Sequence, residues 1–178
     1  MGKKRIIEKE RLLFDNKALA ALILPLIVEQ FLAVLVGMAD SVMVASVGEA
    51  AVSGVSLVDN IMVLFTNLFA ALATGGAVIA GQYLGQKNGK LASRAATQLI
   101  WFTMILAVVI MAVIYCGKWF ILHVVFGEIN ADVMGHANTY LVIVTASIPF
   151  IALYNAGAAV FRAMGNSKVS MQVAMIMN

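Results

Sequence analysis

The sequence contains little charge. Only 12% of its 178 residues are Asp, Glu, Lys or Arg, whereas about a quarter of the residues in a typical soluble domain are charged. The chain is 62% hydrophobic, and its mean hydropathy is +0.96. This composition excludes an ordinary soluble fold and indicates an integral membrane protein. Because the apolar runs are far longer than the roughly 10-residue alternating strands of a membrane barrel, we predict an all-α fold, a polytopic bundle of transmembrane helices.

Cysteine and catalytic motifs are equally scarce. The single cysteine, Cys116, excludes an internal disulfide. Neither His123 nor His136 has the spacing of metal ligands, and no nucleophile stands beside a base, so we expect neither an enzyme nor a metal cofactor. Six of the twelve Lys and Arg residues lie before residue 18, so the net charge of +3 does not predict a nucleic-acid partner.

Apolar segments divide the chain into four predicted spans, at residues 18–46, 51–84, 95–122 and 133–161, and a fifth that starts near residue 169. Residues 1–17 form a mixed-charge leader. The sequence ends within the fifth apolar segment, so we expect residues 18–178 to be a piece of a longer protein, truncated in its fifth helix. A complete chain with a short amphipathic tail is the alternative.

Basic residues alternate between the two sides of the predicted membrane. The leader and the second and fourth loops hold most of the Lys and Arg, whereas the first loop has none and the third has only Lys118. By the positive-inside rule, the leader and the second and fourth loops face the cytoplasm. We therefore expect a multi-pass protein of the plasma membrane, with the lipid bilayer as its surroundings and its N-terminus in the cytoplasm.

Three acidic residues lie inside the predicted spans: Glu29, Asp40 and Asp59. A charged side chain at the bilayer centre costs about 2.5–3.5 kcal/mol on the insertion scale, so such residues face a bundle interior or a wet cavity and mark ion or substrate paths. No Lys or Arg lies deep in a span. We therefore expect these acids to have no basic partner inside the membrane.

Glu29 and Asp40 share one face of the first span. Eleven residues separate them, which places them within roughly 20° of each other around the helix, and Ala33, Val36 and Gly37 lie on or beside the same stripe. We expect this face of small residues to line a cavity. Asp40, in the outer half of its span, can reach water through an outward cavity, so we expect it to carry a function and to mark an ion path. A fixed hydrogen bond to a neighbouring helix is the alternative for Asp40.

The second span carries a polar stripe. Ser53, Asn60, Asn67 and Thr74 recur every seven residues, with Ser56 beside them, and this spacing keeps them on nearly one face of a helix. Such a stripe either lines a hydrated path or hydrogen-bonds to neighbouring helices. The sequence leaves both interpretations open, although both predict that these residues do not face lipid.

The end of the second span is rich in glycine, in the run GGAVIAGQYLGQKNGK. Gly81 and Gly85 form a G-x-x-x-G pair, a spacing that allows a neighbouring helix to approach closely. No Gly-Lys-Ser or Gly-Lys-Thr follows, so the run is not a phosphate-binding loop.

Four stretches of the chain resemble the N-terminal half of multidrug and toxic compound extrusion (MATE) transporters. They are PLIVEQFLAVLVGMAD in the first span, SVGEAAVSGVSL leading into the second, GGAVIAGQYLGQKNGKLASRAA at its end, and PFIALYNAGAAVFRAMGNSK at the end of the fourth. Their order and spacing match the family over most of residues 18–170. Pro149, Arg162 and Gly165 of the last stretch, with Gly81 and Gly85, carry the helix-packing and loop motifs.

The resemblance implies a twelve-helix exporter with two six-helix lobes, of which this chain would be most of the N-lobe and lack the C-lobe. Such carriers exchange a cationic or amphipathic small molecule for H⁺ or Na⁺ by alternating access, and need no cofactor beyond the coupling ion. Asp40 would bind that ion, and Asn60 and Asn67 would face the N-lobe cavity. The C-lobe of the same protein would complete the transport path.

Two other functions compete with drug export. A flippase for lipid-linked oligosaccharides, in the same superfamily, handles a pyrophosphate and would favour Arg or Lys inside the cavity. The predicted spans hold neither residue deep in the membrane, which counts against a flippase. A membrane protein that transports nothing, such as a helix-bundle anchor or scaffold, is the third interpretation, and it would not need acids on a face of small residues. A nonfunctional, non-transporting membrane fragment is also compatible with a parent protein that is a transporter.

Overall fold

The structure, a computed structural model, describes residues 16–177. Its helices are α1 (Asn16–Ala45), α2 (Glu49–Gly85), α3 (Gly89–Phe120), α4 (Ala131–Ala163) and α5 (Ser167–Met177), and a π-helical turn at Ile121–Val125 extends α3. The first four are long and apolar enough to cross a membrane. The predicted all-α transmembrane bundle is confirmed. Residues 1–15 of the predicted leader lie outside the described residues, and its last two residues already belong to α1.

Helices α2, α3 and α4 form the core of the bundle. One buried cluster, which includes Val58, Phe69, Ala107, Leu141 and Ile148, joins all three helices toward the middle of the bundle. A second cluster consists mostly of alanines, at positions 73, 77, 156 and 159. Lipid tails are as apolar as leucine, so helices in a membrane associate through close van der Waals packing, which small side chains permit.

Helix α2 approaches α4 closely at Gly54. A Cβ atom at this position would lie 2.8 Å from the amide nitrogen of Ala137 and 2.9 Å from the carbonyl oxygen of Val133. Both neighbours are backbone atoms, which cannot rotate away. Gly54 therefore sets the distance between the two helices that pack most extensively against each other.

The predicted G-x-x-x-G pair contributes only in part to this packing. A Cβ atom at Gly81 would meet Ala163 of α4 at an ordinary contact distance of 3.7 Å, whereas no described atom comes within 4 Å of that position at Gly85. Gly76, which the spacing did not single out, lies directly against the side chain of Leu99 on α3. Close packing of other helices against α2 therefore depends on Gly54 and Gly76 as well as on Gly81.

Two similar turns connect the helices at one end of the bundle. Helix α4 is followed by Gly165, whose φ of 77° lies in the left-handed region, and the amide of Asn166 donates to the carbonyl of Phe161. This is the Schellman arrangement of a helix C-terminus. Helix α2 ends in the same way, with Lys87 at φ 57°. We call this side of the bundle the basic end, because the two turns and the helix ends beside them carry Lys87, Lys90, Arg94, Arg162 and Lys168.

Helix α1 lies outside the core. It packs mainly against α5 and to a lesser extent against α2, and its one buried residue is Pro25. Pro149 of α4, the second proline of the chain, is also buried. A proline inside a helix leaves one backbone carbonyl without its helical donor, so α1 is weakest near Pro25.

The Gly54 contact generates a stability prediction. We expect Gly54→Ala to lower the free energy of unfolding by about 1–3 kcal/mol, because the added methyl group must force two backbones apart. The matched control is Gly75→Ala in the same helix, where no described atom lies within 4 Å, and there stability should be unchanged or rise by up to about 1 kcal/mol. Thermal unfolding of the purified protein in detergent measures both. Equal melting temperatures for the two variants would contradict the packing described here.

Candidate functional site

A cavity of about 1200 Å³ lies between α1, α2 and α4 and extends from the middle of the bundle to the basic end. Small side chains leave this space open, among them Ala33 on α1 and Ala70, Ala77 and Gly81 on α2. The cavity exceeds the 300–1,000 Å³ that is typical of sites for drug-sized ligands. Polar groups on its wall include Glu29, Gln30, Thr74, Gln82, Tyr154 and Arg162.

Glu29 is held by three side chains from two other helices. Its Oε1 accepts a hydrogen bond of 2.8 Å from the Tyr154 hydroxyl of α4, and its Oε2 accepts one of 3.0 Å from the Ser170 hydroxyl of α5. Nη1 of Arg162 lies 3.9 Å from Oε1. The side chain of Glu29 is 15% exposed, so its polar partners replace most of the water around it.

The expectation that the acids have no basic partner is wrong for Glu29. Arg162 lies in the last turn of α4, but its side chain runs back along the helix, where Nε donates to the carbonyl of Ala158. A long arginine side chain can bring its charge well away from its own backbone position. Counting basic residues by their depth in the span therefore missed this ion pair.

Asp40 lies farther along α1, about 16 Å from Glu29 along the helix axis. It is exposed, and none of residues 16–177 donates a hydrogen bond to it. The alternative prediction, a fixed hydrogen bond to a neighbouring helix, is therefore not found in this part of the chain. The predicted stripe divides here, since Glu29 and Ala33 line the cavity, whereas Val36, Gly37 and Asp40 do not.

A second polar group lies toward the opposite end of the bundle. The Tyr140 hydroxyl of α4 donates a hydrogen bond of 2.8 Å to Oδ1 of Asp59 on α2. Within residues 16–177, no Lys or Arg forms an ion pair with Asp40 or Asp59. Carboxylates in an apolar span that lack a basic partner are chemically suited to binding a cation.

Most of the polar stripe of α2 is exposed among the described helices and does not line this cavity. Ser53, Ser56, Asn60 and Asn67 are exposed and make no interhelical hydrogen bond within residues 16–177. Thr74 lines the cavity, where its hydroxyl donates to the carbonyl of Ala70 in its own helix. The stripe therefore forms no hydrogen bonds between the described helices.

Sequence reasoning did not identify the hydrogen-bond partners of Glu29 and Asp59. Tyr140 and Tyr154 carried a signal, because a tyrosine inside an apolar span usually finds a hydrogen-bond partner for its hydroxyl. Ser170 carried none, since its contact with Glu29 joins residues 141 positions apart and depends on how α5 packs beside α1.

Comparison with known proteins agrees with this architecture. The MatE family model matches residues 25–178. The uncharacterized transporter YisQ of Bacillus subtilis (strain 168) is 28% identical over 162 residues, a match that covers 90% of this chain and 35% of YisQ. The chain thus spans about a third of the length of this relative.

Solved structures share the fold at low sequence identity. A MATE protein crystallised in complex with MaL6 superposes with a TM-score of 0.84 at 19% identity, covering 89% of this chain and 35% of that protein. An outward-facing multidrug resistance MATE transporter of the MOP superfamily gives a TM-score of 0.79 at 20% identity, with the same coverage. A MOP superfamily transporter from Pyrococcus furiosus Vc1 (DSM3638), described by a binding pocket of reverse polarity, gives 0.79 at 20% identity and covers 89% and 34%.

The family match covers most of the residues that form the bundle, and the order and packing of the four spanning helices are those of solved MATE transporters. The protein therefore belongs to the MatE family of membrane transporters.

Proposed function

We propose that this chain is most of the N-lobe of an antiporter that exports cationic or amphipathic small molecules in exchange for H⁺ or Na⁺. The observation that carries the proposal is Asp40, an ionisable carboxylate within an apolar span that has no basic partner among the described residues. Family membership supports transport, and one relative of the same fold is a multidrug resistance transporter, which supports the substrate class.

Coupling would work through the charge of Asp40. An ionised carboxylate on an apolar helix raises the free energy of the helix in the membrane until a cation neutralises it. Ion binding therefore makes apolar surroundings more favourable for Asp40. Helix α1 can respond, because Pro25 interrupts its backbone hydrogen bonding. An ion shifts the equilibrium between inward and outward openings only by its difference in affinity for the two states. Binding of the ion on one side of the membrane and its release on the other would then drive export of the small molecule.

Asp59 and Tyr140 would complete the surroundings of the coupling ion. Their hydrogen bond of 2.8 Å fixes one carboxylate oxygen of Asp59, which leaves its other oxygen available for an ion. The cavity at the basic end, with its mixture of apolar walls and a few polar groups, would receive the exported molecule. We place the complete transporter in the plasma membrane, with the remaining two thirds of its relatives' length supplying the other helices.

Arg162 gives some support to a second candidate, a flippase for lipid-linked oligosaccharides. The argument against a flippase was the lack of basic residues inside the cavity, and Arg162 lies on the cavity wall. A guanidinium group suits a pyrophosphate. Because the neighbouring Glu29 balances its charge, we favour export of cationic molecules over a flippase.

Replacement of Asp40 tests the proposed coupling. We expect Asp40→Asn to abolish drug efflux from cells that express the complete transporter, because asparagine has nearly the same shape but neither takes up a proton nor carries a charge. Efflux is measured at two pH values and two Na⁺ concentrations, and the dependence of the unmutated protein identifies the coupling ion.

The matched control is Asp132→Asn in the first turn of α4, outside the proposed ion path, which should leave efflux unchanged. Normal efflux by Asp40→Asn at normal surface expression would show that Asp40 is not the coupling residue. Movement of a lipid-linked pyrophosphate without drug efflux would favour the flippase.

Cysteine labelling tests the orientation in the membrane. In a Cys116→Ser background we expect a membrane-impermeant maleimide to label Val47→Cys in the loop between α1 and α2 in intact cells. Lys87→Cys, at the basic end, should react only after the cells are permeabilised, because basic loops stay in the cytoplasm. Labelling of Lys87→Cys in intact cells would reverse the proposed orientation.

A further inference from the structure

Helix α3 begins with two cations on one face. Lys90 and Arg94 are four residues apart in its first two turns, so their side chains are neighbours on the helix surface, and both are exposed. A like-charged pair at this spacing destabilises a helix, and the helix dipole disfavours a cation in the first turn. The intrinsic electrostatics of α3 therefore oppose these two residues.

No described acid balances their charge. The sequence has no Asp or Glu between Asp59 and Glu128, and neither Lys90 nor Arg94 forms an ion pair within residues 16–177. Lys87, in the turn that leads into α3, adds a third exposed cation. We call these three residues the cationic patch. Its counter-charge comes from outside the described helices.

An exposed apolar face of α3 continues from the cationic patch. Trp101 follows Arg94 by seven residues, which places it within about 20° of Arg94 around the helix and about 10 Å farther along it. Ile105 and Val108 continue this face, and Trp101 and Ile105 are 64% and 60% exposed. Because α3 is long and apolar enough to cross the membrane, these side chains lie at the depth of the acyl chains.

We propose that the cationic patch and this apolar face together bind an anionic phospholipid, with its phosphate at Lys90 and Arg94 and its acyl chains along Trp101 and Ile105. Ammonium and guanidinium groups recognise phosphate, and basic clusters at the ends of spanning helices attract anionic headgroups. The apolar face that adjoins the cations favours a phospholipid over a soluble phosphate, which would use the cations alone. This inference depends on neither the coupling ion nor the exported molecule.

Two tryptophans on α3 provide the measurement. Trp119 follows Trp101 by 18 residues, about five helical turns, so it shares the same face but lies about 27 Å nearer the opposite end of the helix. The complete transporter is reconstituted in lipid in two versions, one with Trp101 and one with Trp119 as the single tryptophan, and phenylalanine replaces all other tryptophans.

Brominated phospholipids quench tryptophan fluorescence at short range. Quenching in lipid mixtures therefore gives the binding constant of phosphatidylglycerol relative to phosphatidylcholine beside each tryptophan. We expect phosphatidylglycerol to be favoured severalfold at Trp101, next to the cationic patch. At Trp119 the two lipids should bind about equally.

Removal of the charge tests the cations themselves. We expect Lys90→Gln combined with Arg94→Gln to bring the preference at Trp101 down to about one, because each basic residue near the surface strengthens attraction to anionic lipid by about fivefold. Lys90→Arg keeps the charge and should keep the preference. The matched control is Lys118→Gln in the last turn of the same helix, which should leave the Trp101 value unchanged.

Four results would overturn the proposal. Equal binding of the two lipids at Trp101 in the protein with Lys90 and Arg94 intact does so without any charge variant. An unchanged preference in the double variant would leave these cations a role in membrane insertion alone. An absence of quenching at Trp101 by either lipid would show that other helices of the complete transporter cover this face. Loss of the preference in phosphate, but not in NaCl at the same ionic strength, would assign the cationic patch to a soluble phosphate.

Discussion

The packing of α2 against α4 is the contact on which the rest of the bundle depends. In a bilayer no hydrophobic effect drives helices together, so their association requires close contact between small residues. Gly54 brings the two backbones together at one end, and alanines at positions 73, 77, 156 and 159 continue the contact toward the other. This interface, with α3 beside it, forms the block of described helices against which α1 and α5 pack.

The two acids of α1 illustrate two ways in which a membrane protein can carry a carboxylate. Glu29 is surrounded by two hydroxyl groups and a guanidinium group, which replace much of its hydration. Asp40 has no such partners among the described residues and depends on water, an ion or another part of the transporter. A satisfied carboxylate stabilises one arrangement of helices, whereas an unsatisfied one responds to whatever neutralises it. One helix thus contains both a fixed and a responsive charge.

The spans could be predicted from the sequence because the bilayer imposes them. A spanning helix needs about 20 apolar residues and must satisfy its own backbone, and the ends of α1, α2 and α4 fall within a few residues of the predicted ends. The site could be predicted only in part. Helical geometry shows that Glu29 and Asp40 share a face, but it does not show which helix each meets. The contact between Glu29 and Ser170 depends on where α5 packs, and the ion pair with Arg162 depends on the rotamer of that side chain. Neither leaves a periodic pattern in the sequence.

The two turns at the basic end differ in one residue type. Where α4 ends, glycine takes the left-handed conformation without strain, but where α2 ends, Lys87 takes it. A side chain in that conformation costs about 1–2 kcal/mol, so glycine would relax the second turn as well. Glycine would also remove a positive charge from a loop whose charges direct how the chain threads into the membrane. At this single position, the conformational strain of the turn and the positive charge of the loop favour different residues.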